Sequence, residues 1–334
     1  MGTGTEGAAA LRSGDRHLVE RVRRLCVLAG IELELVTPGS DPPAVALLLD
    51  DRTERVGAPW RDVVTAGEVV ELGDGEEALQ LPRDAEVLLE LLSRAAAPRR
   101  AHVVGVVGAV GGVGTSALAA VLARVTVVAG RTTALVDLDP AGGGLDVLLG
   151  IEHDPGPRWN DVLGERGGFP PDRLMAALPV WCGVHVLSAD VRGGVAPAHP
   201  VARDALGALT RAADAVLLDL PRSVLAPGGD RDWLALCDTT VLLTGCDTHS
   251  AAAATAAATV LTAAPVHLVV RTPAQGSLLP DDVAEACGLR LAAVLRPERA
   301  FTAGLERGLS PGDQRRGPLL AGARRLLPRL GLAS

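Results

Sequence analysis

The sequence predicts an α/β protein in two parts, a mostly parallel sheet with helices on both faces preceded by a smaller α/β domain. Three observations carry this. From His102 onward, short apolar runs alternate with helical stretches, the pattern of a parallel sheet covered on both sides. A glycine-rich turn, with Gly111, Gly112 and Gly114, joins the first of these runs to the first of these helices. Just before this pattern, Ala97-Pro98-Arg99-Arg100 reads as a linker, in a chain of 334 residues that exceeds what one core usually fills.

Taken in order, residues 1–15 are small and polar and read as a disordered N-terminus. Residues 16–97 make the smaller domain. His17–Ala29 places Leu18, Val22, Leu25 and Cys26 on one helical face. Ile31–Val36 and Ala44–Leu49 are short strands, the second running into Asp50-Asp51, and Ala85–Ala96 is a helix with Val87, Leu88, Leu91 and Leu92 apolar. Residues 98–101 form a linker and 102–331 the larger domain. Its strands are Val103–Val107, Ala134–Asp137, Val184–Leu187, Ala215–Asp219, Thr240–Thr244, Val266–Val270 and Leu291–Leu295. Helices Thr115–Ala129, Val201–Ala213, Ser250–Ala263 and Asp281–Cys287 lie between them.

Composition narrows the chemistry. Apolar residues are 48% of the chain but aromatics only 2%, with no tyrosine, so the cores are built from Leu, Val and Ala. All 32 basic residues are arginine, which excludes any mechanism needing a lysine from this chain. A net charge of −8 argues against a broad nucleic-acid-binding surface. Cys26, Cys182, Cys237, Cys246 and Cys287 are scattered and read as buried, reduced thiols rather than a disulfide or zinc framework. The N-terminus lacks the basic start and apolar stretch of a signal peptide, so a cytoplasmic protein is expected. Val103–Ala123 carries no charge and is long enough to span a bilayer, but its glycines fit a strand, a tight loop and a helix better.

Val103–Ser116 carries the chemistry. A strand ends, glycines let the backbone curl, and a helix begins at Thr115-Ser116. Amide N–H groups in such a curl point inward and the helix N-terminus adds partial positive charge, which makes an anion cradle. Ser116 stands where a hydroxyl would ligate Mg²⁺. A dinucleotide fingerprint is a poor match, because the glycine spacing departs from G-x-G-x-x-G.

The stretch Val110-Gly-Gly-Val-Gly-Thr115-Ser116 resembles the phosphate loop of the MinD/ParA family, K-G-G-x-G-K-[ST], with both lysines replaced. The resemblance implies that Gly111, Gly112, Val113, Gly114, Thr115 and Ser116 cradle the phosphates of ATP. Thr115 stands where a lysine would hold the β- and γ-phosphates. Val110 stands where the family's other lysine reaches across a dimer. Asp137-Leu-Asp139 resembles the switch I motif, which puts Asp139 near the attacking water as a weak catalytic candidate. Asp219-Leu-Pro221 resembles Walker B, which gives Asp219 to Mg²⁺ through water, together with Ser116. After Val266–Val270 the family often has an adenine-reading asparagine, and this chain has Arg271.

A narrower resemblance rests on Asp137–Gly150, Gly156-Pro-Arg-Trp159, Leu178-Pro179, Val186-Leu-Ser188 and Leu305-Glu-Arg-Gly308. These are similar to the CpaE-like proteins, including TadZ and septum site-determining proteins. They carry a degenerate receiver-like domain before an atypical P-loop domain without the lysine. In the N-terminal domain the match is looser, since the first strand, around Ala10–Ser13, is barely apolar.

The resemblance implies a cytoplasmic positioning protein, peripheral at most at the inner face of the cell membrane. It would bind ATP and Mg weakly and act through partners of the division septum or of a pilus or secretion apparatus, as a homodimer or otherwise. The alternative is an active ATPase that cycles on the membrane or nucleoid surface with an arginine in place of the P-loop lysine. Asp50 and Asp51 fall where a receiver is phosphorylated, but the chain has no receiver lysine and only Asp15 in the first turn, so solvated carboxylates are expected. Arg315, Arg316, Arg324, Arg325 and Arg329 flank an apolar stripe of Leu319, Leu320, Ala323, Leu326 and Leu327. That pattern suits a membrane-surface helix or a DNA-contacting edge, and better suits a last helix laid on the core. Trp60, Trp159, Trp181 and Trp233 are too dispersed for a stacking platform and are expected in cores or interfaces.

Overall fold

The computed structural model describes residues 8–333 apart from 38–39, 42, 44, 46, 54–58, 61–67, 76–77, 97–99, 141–142, 165–168, 196–198, 227–228, 230, 273–277, 299–300 and 315. The chain divides into two compact units, Met1–Arg99 and Arg100–Ser334.

The smaller unit has strand β1 (Ala8–Arg12), helix α1 (Arg16–Ala29), strands β2 (Glu32–Val36), β3 (Leu47–Asp51) and β4 (Glu68–Leu72), and helix α2 (Ala85–Ala96). The strands are parallel in the order β2-β1-β3-β4, the beginning of the doubly wound order of receiver-like folds. Val22 and Cys26 of α1 and Leu88 and Leu92 of α2 bury against Leu11, Leu47 and Leu49 on one face. Ala10 and Leu48 pack with Val36, Val45 and Trp60 on the other. Asp15 caps α1 by accepting the His17 amide at 2.8 Å, and Gly30, at φ 70°, closes its C-terminus.

Two expectations change here. The stretch read as disordered contains β1, whose Ala9, Ala10 and Leu11 are fully buried. A central strand covered on both faces needs small apolar residues rather than a conspicuous hydrophobic run. The strand-end carboxylates are also not solvated. Register puts Arg12 opposite Asp50, and the guanidinium grips that buried carboxylate with two bonds of 2.8 and 2.7 Å. The Trp60 amide donates a third at 3.0 Å, and the Arg12 guanidinium lies 4.7 Å from the centre of the Trp60 ring. Asp51 is buried beside it, accepting the Ser13 hydroxyl at 2.5 Å and the Thr53 amide at 3.0 Å. Ala44 and Ala46 of the expected second strand lie outside the described residues. β4 has no counterpart in the sequence reading, because two glutamates interrupt its apolar run.

The larger unit runs β5 (His102–Gly108), α3 (Thr115–Val128), β6 (Thr133–Asp137), α4 (Leu145–Leu149), α5 (Trp159–Leu163), α6 (Pro171–Ala177), β7 (Val180–Trp181), β8 (Val184–Leu187), α7 (Pro200–Ala212) and β9 (Ala215–Leu220). There follow α8 (Asp232–Ala235), β10 (Thr239–Gly245), α9 (Thr248–Val260), β11 (Val266–Arg271), α10 (Pro280–Cys287), β12 (Leu291–Leu295), α11 (Phe301–Leu305) and α12 (Pro318–Leu326). Eight strands form one sheet in the order β12-β11-β10-β5-β9-β6-β8-β7, parallel except for β7 on β8. Alternate residues of β5 serve opposite faces. Val103 and Val107 join the core under α7 and α9, while Val104 and Val106 join the core under α3 and α12. Gly105 is required between them, since a Cβ there would meet the Cys237 Sγ and a Leu220 methyl at 2.7 Å.

The limits of this unit differ from those read in the sequence. Ala101, expected in the linker, is buried and its amide donates to the Thr210 carbonyl at 2.7 Å, while 97–99 lie outside the described residues. At the other end Leu332 is fully buried. In α12 the stripe Leu320, Ala323 and Leu326 packs into the core with Leu327, leaving Arg324, Arg325 and Arg329 exposed and no apolar face for a membrane. Arg315 is outside the described residues. Cys182 departs from the expected buried thiols, being exposed at φ 49°, whereas Cys26, Cys237 and Cys246 are buried. All four tryptophans are buried, and no helix among the described residues is long and apolar enough to cross a membrane. The uncharged run Val103–Ala123 is β5, the glycine turn and the first part of α3.

Candidate functional site

The carboxyl ends of β5, β6 and β9 meet at one edge in the middle of the sheet, because all three strands are parallel and adjacent in register. The chain leaves β5 towards β6 on one side, and later crosses from β9 to β10 on the other. Crevices at such a reversal are where open α/β sheets hold ligands.

The loop after β5 is shaped by its glycines. Gly112 (φ 71°) and Gly114 (φ 102°) adopt left-handed backbone that a side chain rarely tolerates. Gly114 is the N-cap of α3, and no side chain caps that helix end, so the amides of the first turn face an open cleft. Gly108 is fixed differently, since a Cβ there would overlap the Thr115 hydroxyl and meet the Val110 carbonyl at 3.1 Å. Thr115 is therefore folded back against the strand.

The structure brings the sequence candidates together. A cleft of about 330 Å³ is lined by Gly111, Gly112, Gly114, Thr115 and Ser116 from the loop, with Val110 on its wall. Asp139, Asp219 and Arg222 line it from the ends of β6 and β9. Val113 is buried in the core beneath the loop instead of lining the cleft. Val110, half-buried, also packs against that core, so it adds apolar surface to the cleft wall.

Three carboxyls crowd this edge. Asp137 sits opposite Asp219 in the β6–β9 register. Burial raises the Asp137 carboxyl above the ordinary range, against the amides of Asp139 (3.1 Å), Leu145 (3.0 Å) and Ala189 (3.4 Å), which favour its ionised form. Those amides make Asp137 the anchor of the segment after β6. Asp219 is 5% exposed, and burial pushes its carboxyl up to about 7, helped by Asp137 and Asp139 and opposed by the Ser116 hydroxyl that donates to it. Asp139 is half-buried and lines the cleft.

The narrower sequence landmarks converge behind this edge. The Trp159 indole donates to the Asp137 carbonyl at 2.5 Å, and its amide to the Ser188 carbonyl at 3.0 Å. Arg158 is buried and faces Asp146 at 3.5 Å, while donating to the Ile151 carbonyl at 2.7 Å. Gly156 lies against Pro179, where a Cβ would approach to 2.7 Å. These residues buttress the segment that carries Asp139 and do not reach the cleft.

Two arginines flank the loop. Arg271, at the end of β11, donates from Nη1 to the Val113 carbonyl at 2.8 Å and would lie 3.0 Å from any Cβ on Gly114. Beside it is a hollow of about 30 Å³ walled by Val113, Gly114, Leu295, Phe301 and Leu319. Arg222 was not singled out by sequence reasoning, although it directly follows Asp219-Leu-Pro221 at a strand end, which was the available signal.

No protein-family model matches the chain. It is 36% identical over 286 residues to the uncharacterized protein Rv3660c of Mycobacterium tuberculosis, covering 84% of this chain and 78% of that one. Among solved structures it resembles the MinC:MinD cell division complex of Aquifex aeolicus, with TM-score 0.55 and 20% identity over 68% of this chain and 96% of that one. It is similarly close to MinD of Pyrococcus horikoshii complexed with Mg-ADP (TM-score 0.55, 16% identity, 69% and 96% covered). A ParA family ATPase from Chlorobium tepidum aligns at TM-score 0.53 and 16% identity, over 68% and 98%. The larger unit thus has the P-loop NTPase fold of the MinD/ParA type.

Proposed function

We propose that this chain, which belongs to the family of the mycobacterial protein Rv3660c and has the MinD/ParA fold, is a positioning protein that binds Mg-nucleotide weakly and acts through protein partners. The observation that carries this is the contrast within one loop. Its backbone keeps the form of a phosphate cradle, while Thr115 is folded against Gly108 and Val110 packs into the core.

The residues present fit the phosphates and the metal. The uncapped end of α3 and the loop amides suit an anion, and Gly114 lets it approach the backbone. Ser116 and Asp219 would hold Mg²⁺. Among the described residues, no group of three or more His, Cys, Asp or Glu could bind a metal alone. That suits Mg²⁺, which commonly takes one or two carboxylates and completes its shell with phosphates and water. The metal would supply charge neutralisation at the phosphates. The base side fits less well, because Arg271 stands where the resemblance expects an adenine-reading asparagine and is engaged by the Val113 carbonyl. Weak affinity follows from the missing lysine and from Arg271 in place of a base-reading asparagine.

The partners follow from resemblance. One structural relative is a MinC:MinD cell division complex, and the narrower sequence likeness is to proteins placing the septum or a pilus or secretion apparatus. Steady-state ATP turnover by the purified full chain tests the reading. A trans-acting cation at a phosphoryl transition state is worth about 10³–10⁵ in rate, and Val110 supplies none. Turnover should fall short of active ParA-type enzymes by that order. Full turnover abolished by Asp139→Ala would instead make the protein a working ATPase.

A further inference from the structure

We infer that Arg222 is the phosphate-binding cation of this cleft, supplied in cis from the end of β9 in place of the loop lysine. The inference rests on the reading that the cleft takes a phosphoanion, and it identifies what balances that anion's charge.

Among the described residues that line the cleft, Arg222 is the one basic residue, alongside the acids Asp139 and Asp219. An anion entering the cradle meets those acids, so loop amides alone hold it against an unfavourable field. Arg222 is placed to offset this. Its backbone is held by buried neighbours, Pro221 before it and Val224 within the single 3-10 turn Arg222–Leu225, while its side chain is exposed. A guanidinium on such a fixed stem presents a planar fork that matches two phosphate oxygens.

The other nearby arginine has a different task. Arg271 donates to the Val113 carbonyl and lies against Gly114, so it holds the loop in shape. Arg271 does not line the cleft.

The test is calorimetric titration of the full chain with inorganic pyrophosphate and with Mg-ATP. The proteins are wild type, Arg222→Ala, Arg222→Lys and, as a control on α6 outside the cleft, Arg173→Ala. A charge-assisted hydrogen bond is worth about 10- to 100-fold in affinity. Arg222→Ala should lose that factor for both ligands, Arg222→Lys should recover most of it, and Arg173→Ala should match wild type. Thermal melts should be unchanged, because the side chain is exposed. Equal affinity of wild type and Arg222→Ala overturns the role of Arg222 and leaves phosphate binding standing. Loss in both Arg222 variants with a lowered melting temperature also overturns it, since that marks a structural role. No binding of either ligand to wild type overturns both the role and the reading beneath it.

Discussion

Asp219→Asn tests whether the acidic edge of the site is held at the expense of the fold. The wild-type carboxyl is lifted from 3.8 to about 7, chiefly by burial. The sign follows from proton counting. Between those two values the folded chain holds a proton that the unfolded chain has released, so stability falls as pH rises through that window and is flat above it. At about 1.4 kcal/mol per pH unit, raising the pH from 5 to 8 removes about 3 kcal/mol through this group. The carboxamide of the variant has no proton to lose and keeps an acceptor for the Ser116 hydroxyl. The advantage of the variant over wild type should therefore grow by about 3 kcal/mol between pH 5 and pH 8, or roughly 5–10 °C in melting temperature for a unit of this size. Asp137, raised in the same direction and facing Asp219 across the register, shares the relief. The assay is thermal unfolding followed by circular dichroism at half-unit pH intervals. Adding Mg²⁺ with pyrophosphate at pH 8 should restore stability to wild type and not to the variant, because only a carboxylate attracts the cation. Parallel wild-type and variant profiles from pH 5 to pH 8 would refute the reasoning.

Two further changes probe the loop and the smaller unit. Thr115→Lys should tighten Mg-ATP binding by about 10- to 100-fold with turnover still low, whereas Gly114→Val should abolish binding by placing a side chain against Arg271 and straining a φ of 102°; calorimetry showing no gain for the lysine variant would mean that the cradle no longer faces a phosphate. Arg12→Ala should destabilise the smaller unit by about 3 kcal/mol, since it leaves the fully buried Asp50 with only the more distant Arg52, at 3.8 Å, to balance its charge. A loss below about 1 kcal/mol in urea unfolding would show that this pair behaves as a surface bridge.

What was legible in the sequence is what depends on neighbours along the chain. Left-handed turns need glycine, so Gly112 and Gly114 marked the loop and its junction with α3. Apolar runs bounded by turn residues marked β5, β6, β9 and β10, because a strand buried on both faces has no polar side to show. The absence of lysine fixed what the loop cannot do, in any conformation.

Tertiary structure decided whatever depends on strand order and register. Arg12 and Asp50 lie 38 positions apart and meet only because β1 and β3 are neighbours, which turned expected surface carboxylates into a buried ion pair. β1 was legible only as a barely apolar strand around Ala10–Ser13, for the same reason, since its few small residues become core only between β2 and β3. Arg271 and Val113 are 158 positions apart and meet because β10 alone separates β11 from β5. Arg222 follows the strand-end Asp219-Leu-Pro221, but it lines the cleft because β9 runs beside β5 and ends at the same edge. Periodicity records which face of an element is buried, but not which element covers it, and long-range pairs of charges are set by that second choice.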